Sequence, residues 1–150
     1  MTGAELETYL HDHIPLSRAM AVRVVSIAQD RVVLGAPLEP NINHRETVFG
    51  GSAASVATLA AWSLLHVRLT EAGLPSRVVI QRSTMEYLLP IAGEFTALAQ
   101  LGDQSDWDGF VRMLTRRGRG RLSIEAALDF DGRQAGLFSG EFVAFAGSRI

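Results

Sequence analysis

Between Gly50 and Thr70 the chain carries only one formally charged side chain, Arg68. Within that run Ala53, Val56, Ala57, Ala60 and Leu64 recur at helical spacing, while Leu59 and Trp62 widen the apolar surface. The pattern predicts a helix of roughly 19 residues, about 28 Å long, starting near Gly50-Gly51 and capped by Thr47 or Ser52. A helix apolar nearly all round needs a sheet wrapped about it, a partner subunit, or both. The uncharged stretch Val48–Leu65 reads poorly as a membrane span, because it holds Gly50, Gly51 and several Ser and Thr among its alanines. A buried helix is the better reading, and no membrane partner is expected.

The rest of the chain supplies strands. Ala4–His13 predicts a short helix with Thr2 as cap, ended by Pro15. Met20–Ala28 and Arg31–Leu38 are β-branched runs split at Gln29-Asp30, a hairpin pattern. A polar loop, Glu39–Thr47, leads into the long helix, and Gly73-Leu74-Pro75 stops it. Arg77–Leu89 and Phe95–Leu101 follow as strands, turned at Pro90 and Gly93. Gly102–Gly109 reads as a polar loop, after which Phe110, Met113 and Leu114 fit a helical turn and a strand equally. Arg119–Phe130 and Gln134–Ala146 form a closing hairpin around Asp131-Gly132. About six strands and one long helix, without alternating β and α elements, predict an α+β fold: one curved antiparallel sheet on one helix. With 150 residues, 47% of them hydrophobic, and neither an internal repeat nor a long linker, residues 1–150 are expected to form a single domain.

Composition narrows the chemistry. No cysteine is present, so thiol nucleophiles and Cys-based metal sites are excluded, and no His/Asp/Glu cluster makes a metal site. No cofactor is expected. A net charge of -2 does not select for nucleic acid or an anionic bilayer. The N-terminus lacks the order of a signal peptide, so a cytoplasmic location is expected. The densest polar and glycine cluster, Asn41–Ser52, lies just upstream of the long helix. The first turn of a helix presents unpaired N–H groups in a positive field, and a Gly-Gly step lets a ligand approach them. Gly50 and Gly51 therefore suit either a carbonyl-polarising site or a tight turn into the helix. Neither a phosphate loop nor a dinucleotide pattern is present.

The stretch Asn43–Leu65, with the paired Asn41 and Asn43, the Phe49–Ser52 turn, Trp62–Leu65 and the later Tyr87-Leu88-Leu89-Pro90, resembles the hotdog-fold thioesterases. Within them it is most similar to the thioesterase domain that also occurs behind an acetyltransferase domain in some bacterial proteins. The resemblance runs from Ile14-Pro15-Leu16 to Gly140-Glu141-Phe142-Val143. It implies a hotdog fold and hydrolysis of an acyl thioester, on coenzyme A or an acyl carrier protein. It also implies a homodimer, with a tetramer allowed, whose sheets join edge to edge and whose sites lie between subunits. In better-known members a His-Gly-Gly turn supplies the polarising amide, an Asn precedes it, and an acid stands two turns along a facing helix. Here Asn43 matches the Asn, Phe49 takes the His position, Gly50 and Gly51 match the pair, and Thr58 falls where the acid would be.

Threonine is no base at neutral pH. His44 and Glu46, in the polar loop, are the nearest substitutes, or both are a solvated surface pair. Asn43 either orients water or caps the loop backbone, and Thr58 reads most simply as a hydroxyl bonded to the preceding helical carbonyl. Phe49 and Ser52, flanking the glycines, join the substrate-binding candidates. So do Ser83 and Thr84, on opposite faces of one strand, one of which should reach the pocket. Arg116, Arg117 and Arg119 lie in the only dense basic run and could clasp coenzyme A phosphates; a nucleic-acid partner is not expected, for want of interleaved aromatics. Two rival functions remain: a non-catalytic acyl-thioester binding dimer, and a hotdog dehydratase, whose facing His and acid have no evident counterpart.

Overall fold

The computed structural model describes residues 1–147. Its elements in chain order are α1 (Gly3–His13), α2 (Pro15–Ala19), β1 (Arg23–Ala28), β2 (Arg31–Ala36), α3 (Gly50–Glu71), β3 (Ser76–Tyr87), β4 (Phe95–Gln100), α4 (Gln104–Arg117), β5 (Arg119–Phe130) and β6 (Arg133–Ala146), with a short 3-10 turn at Glu39–Asn41. The strands form one antiparallel sheet in the order β1-β2-β4-β5-β6-β3. This is the hotdog arrangement: a curved sheet wrapped around one long helix, α3.

Alternation builds the inner face of the sheet. Along β5, Leu122, Ile124, Ala126 and Leu128 are buried while the residues between them are not. Val32 and Leu34 of β2, Phe95 and Ala97 of β4, and Phe138 and Phe142 of β6 share one core with Val56, Ala57, Ala60 and Leu64 of α3. Wrapping by the sheet is what an all-round apolar helix requires. Asp131 and Gly132 take φ values of 54° and 75°, the left-handed pair that a two-residue turn between twisted strands demands.

Three local expectations change. First, the helix begins at Gly50 with Phe49 in the cap position, and neither Thr47 nor Ser52 caps it. Second, Pro15 ends α1 but also opens α2 at its first turn, where a missing N–H is harmless, so the first strand starts at Arg23. Third, the polar loop expected at Gly102–Gly109 is the front half of α4. Trp107, Phe110 and Leu114 bury one face of α4. The helix packs on β5, which β4 pairs only between Glu125 and Asp129.

The two sheet edges differ. At β1, Glu7 Oε1 accepts from Val24 N at 2.8 Å and His11 Nε2 donates to Val22 O at 2.7 Å, so α1 occupies backbone groups that another strand would use. At β3, the other edge strand, Trp62 Nε1 of α3 donates to Val78 O at 3.0 Å, while Val79 and Ile80 next to it are exposed.

Candidate functional site

The loop ahead of α3 is held by its asparagines. Buried Asn41 donates through Nδ2 to Met20 O at 3.0 Å and Pro37 O at 2.9 Å. Its carbonyl accepts from Phe49 N at 2.7 Å, and Val48 N donates to Ile91 O at 2.8 Å. Asn43 closes the loop on itself: Oδ1 accepts from Arg45 N (2.8 Å) and Thr47 N (3.1 Å), while Nδ2 donates to Thr47 Oγ1 (2.9 Å). All its near partners are loop atoms, so here it acts as a backbone brace. Glu46 sits at φ 63°, and both His44 and Glu46 point their side chains into solvent.

These contacts fix where α3 starts. No side chain caps that end, so the first-turn amides around Gly50 and Gly51 stay available to a ligand. Beside them lies a pocket of about 280 Å³ whose walls include Val48, Ala53, Leu89, Ile91, Leu128 and Ala135. Tyr87 is the only lining residue with a polar side chain, and its hydroxyl donates to Gly50 O at 3.2 Å. A Cβ on Gly50 would lie 3.4 Å from the Tyr87 ring, an ordinary contact. Gly51 is different: the Phe49 ring folds over it, and a Cβ there would come within 3.1 Å of ring carbons. The ring is 58% exposed and can swing.

The other candidates scatter. Ser52 is half-buried in the first turn of α3. Thr58 is eight residues beyond Gly50, about 12 Å along the axis, and its Oγ1 donates to Ala54 O at 2.8 Å. A bulge after Ile80 shifts the register of β3, so Ser83, opposite Gly140, stands on the helix side of the sheet and Thr84, opposite Ser139, on the outer side. Arg116 and Arg117 end α4, and Arg119 begins β5. They line a groove of about 900 Å³ on the outer face, with Arg112 and Arg121, and are not brought together with Gly50. The two regions share β5: Leu128 lines the pocket and Arg121 the groove, about 23 Å apart along the strand.

Tyr87, Leu128 and Ala135 are pocket residues that the sequence did not single out for a role. Tyr87 carried a signal, since it ends a strand in Tyr-Leu-Leu-Pro; the other two are apolar strand residues like many others. One histidine has a shifted pKa, and it lies elsewhere. His66 on α3 is stacked against Tyr9 and Trp62, and burial, then the nearby His13, lowers its pKa below the usual 6.5. Among the described residues no group of three or more His, Cys, Asp or Glu is placed to hold a metal ion, and no helix is long and apolar enough to cross a membrane.

Solved structures share this architecture. A protein of unknown function from Chlorobaculum tepidum TLS is 28% identical, with a TM-score of 0.92 over 97% of this chain and 94% of that one. A putative thioesterase from Shewanella oneidensis is 24% identical, TM-score 0.85, covering 95% and 96%. A thioesterase from Haemophilus influenzae is 11% identical, TM-score 0.78, covering 97% and 92%; at that identity the likeness speaks for the fold. The family described as "Putative thioesterase (yiiD_Cterm)" matches residues 3–146, and the chain belongs to that family, within the hotdog-fold thioesterases.

Proposed function

We propose that residues 1–150 act as one domain that hydrolyses an acyl thioester, carried on coenzyme A or an acyl carrier protein, at the first turn of α3. The observation that carries this reading is an uncapped helix start opening beside an apolar pocket. Amides of Gly50 and Gly51 would donate to the thioester carbonyl and stabilise the charge it gains when water attacks. Water adds to the carbonyl carbon, the C–S bond breaks, and the products are a carboxylic acid and a thiol whose sulfur takes the proton. Asn43 holds the loop that aims these amides, and His44 or Glu46 would relay the proton of the water after a loop movement. Ser52 and Ser83 would flank the thioester on the helix side.

The exposed Val79 and Ile80 on the edge strand β3 support a homodimer, in which Thr58 would face the partner's site across the interface, and two such dimers could form a tetramer. The reading places the protein in the cytoplasm, with no nucleic-acid or membrane partner. A second reading, acyl-thioester binding without turnover, is favoured by two observations: the Thr58 hydroxyl donates to Ala54 O, and neither loop candidate for the base lines the pocket.

Hydrolysis of acyl-CoAs of graded length by the parent, Asn43→Ala and His44→Ala separates the two. Turnover that falls about a hundredfold in His44→Ala supports a loop base, whereas saturable binding with no product in the parent establishes the binding reading.

A further inference from the structure

The groove between α4 and the outer face of the sheet concentrates positive charge on a chain whose net charge is -2. Arg112 and Arg116 are one turn apart on α4, which Arg117 ends, and Arg119 and Arg121 alternate onto the same face of β5. Like charges at these spacings repel. Such repulsion is ordinarily relieved by carboxylates, as at Arg18–Asp12 (3.2 Å) and Arg23–Glu94 (2.7 Å). Among the described residues none of the groove arginines has an acidic partner, and Asp106 is the only acid in the lining.

The space between them is concave, about 900 Å³, and its apolar floor is the half-buried Val143 and Phe145 of β6, with the exposed Met113 of α4 beside it. Arg77 rests over one side of the Phe145 ring, 5.0 Å from its centre, which adds a further cation beside the groove. Guanidinium forks bind phosphate oxygens in pairs, and an aromatic floor accepts a base. Helix-end compensation accounts for Arg116 and Arg117 at the C-terminus of α4, but not for Arg119 and Arg121 on a strand.

We propose that this groove is a nucleotide-polyphosphate site, distinct from the α3 pocket. The ligand is a nucleoside carrying two or more phosphate groups, its phosphates among Arg112, Arg116, Arg119 and Arg121 and its base on the Val143–Phe145 floor. The sheet lies between the two regions within one chain, so the proposal does not require hydrolysis at α3. Its ligand is either the 3′-phospho-ADP end of coenzyme A bound at another subunit's pocket or a free nucleotide.

The test is calorimetric titration of the full chain with 3′-phospho-ADP, coenzyme A, ATP and inorganic pyrophosphate. The parent, Arg119→Glu/Arg121→Glu, Arg112→Ala/Arg116→Ala and the distant control Arg31→Glu are compared, with folding checked by thermal melting. Nucleotides should bind the parent more tightly than pyrophosphate does. Binding should weaken about tenfold or more in each groove double variant, remain unchanged in Arg31→Glu, and weaken with added salt. Absence of nucleotide binding to the parent, or binding that survives both double variants, overturns the proposal.

Kinetics identify the source of the ligand. If it is coenzyme A, the groove variants raise KM for acyl-CoA and leave acyl-pantetheine untouched; if it is a free nucleotide, KM for both is unchanged. A protein that binds nucleotide and hydrolyses nothing retains this site and loses the hydrolase reading, and one that hydrolyses acyl-pantetheine without binding nucleotide does the reverse.

Discussion

Replacing Asn41 by alanine tests whether the loop before α3 is held from below. The side chain is 1% exposed, and its Nδ2 serves two carbonyls, Met20 O and Pro37 O. The amide cannot be turned over without aiming its own oxygen at both acceptors, so the orientation is dictated by the site. Among the described residues its Oδ1 has no partner, and the loss therefore falls on the donor side. Removing a donor that satisfies two enclosed acceptors costs about 2–4 kcal/mol in all. For a chain of this size that is a fall in melting temperature of about 5–15 °C. Asn41→Asp keeps the shape but offers at most one donor, and only when protonated, so it should destabilise at neutral pH too. The backbone of Asn41 also receives Phe49 N, the residue before α3. Turnover, measured well below the transition, should fall as the first-turn amides lose their aim. Circular dichroism melts with a thioester assay read both quantities. A variant melting within about a degree of the parent would refute the account of the loop given above.

Three further outcomes are expected. Because the folded-state pKa of His66 lies below its unfolded value, the unfolded chain binds the extra proton first; the stability His66 contributes is present above about pH 6.5 and lost as pH falls through its folded pKa. Melting curves at pH 8 and pH 5 should show a larger loss for the parent than for His66→Phe. Val79→Lys with Ile80→Lys would place charges on the edge strand, each costing about 2 kcal/mol or more if buried by a partner; light scattering is expected to find a dimer for the parent and a monomer for the variant, and a monomeric parent refutes the edge pairing. Thr58→Asp installs a carboxylate in place of a hydroxyl that only back-bonds to Ala54 O; if hydrolysis is limited by the missing base, kcat rises about tenfold or more, and an unchanged kcat means the base lies elsewhere.

What could be read from the linear chain depended on whether local pattern and tertiary contact agreed. Around α3 they do, because a run with one charge has few homes besides the inside of a curved sheet. The Asp131-Gly132 turn was legible for a backbone reason, the need for positive φ at both positions. At α4 they disagree. Its apolar residues recur at helical spacing, but Gly109 and a set of exposed polar residues dilute the signal, and what steadies the helix is the stretch of β5 that β4 leaves unpaired. No window of sequence around residue 107 contains that information.

The site divides in the same way. Glycines at a helix start are visible in sequence, yet the absence of a cap is a property of the fold, and Thr47 turned out to bond within the Asn43 loop instead. Strand faces are harder. Counting outward from buried Val78 puts Thr84 on the helix side; the bulge at Gln81 reverses the count and puts Ser83 there. The arginines were visible as a cluster, but which face of the sheet they occupy follows from Gly120 packing inward against Phe110, its Cβ position only 3.0 Å from that residue's carbonyl oxygen. With a glycine turned inward at 120, Arg119 and Arg121 must both turn outward. The strand's two-residue period thus puts both on the face turned away from α3, which the basic run alone does not reveal.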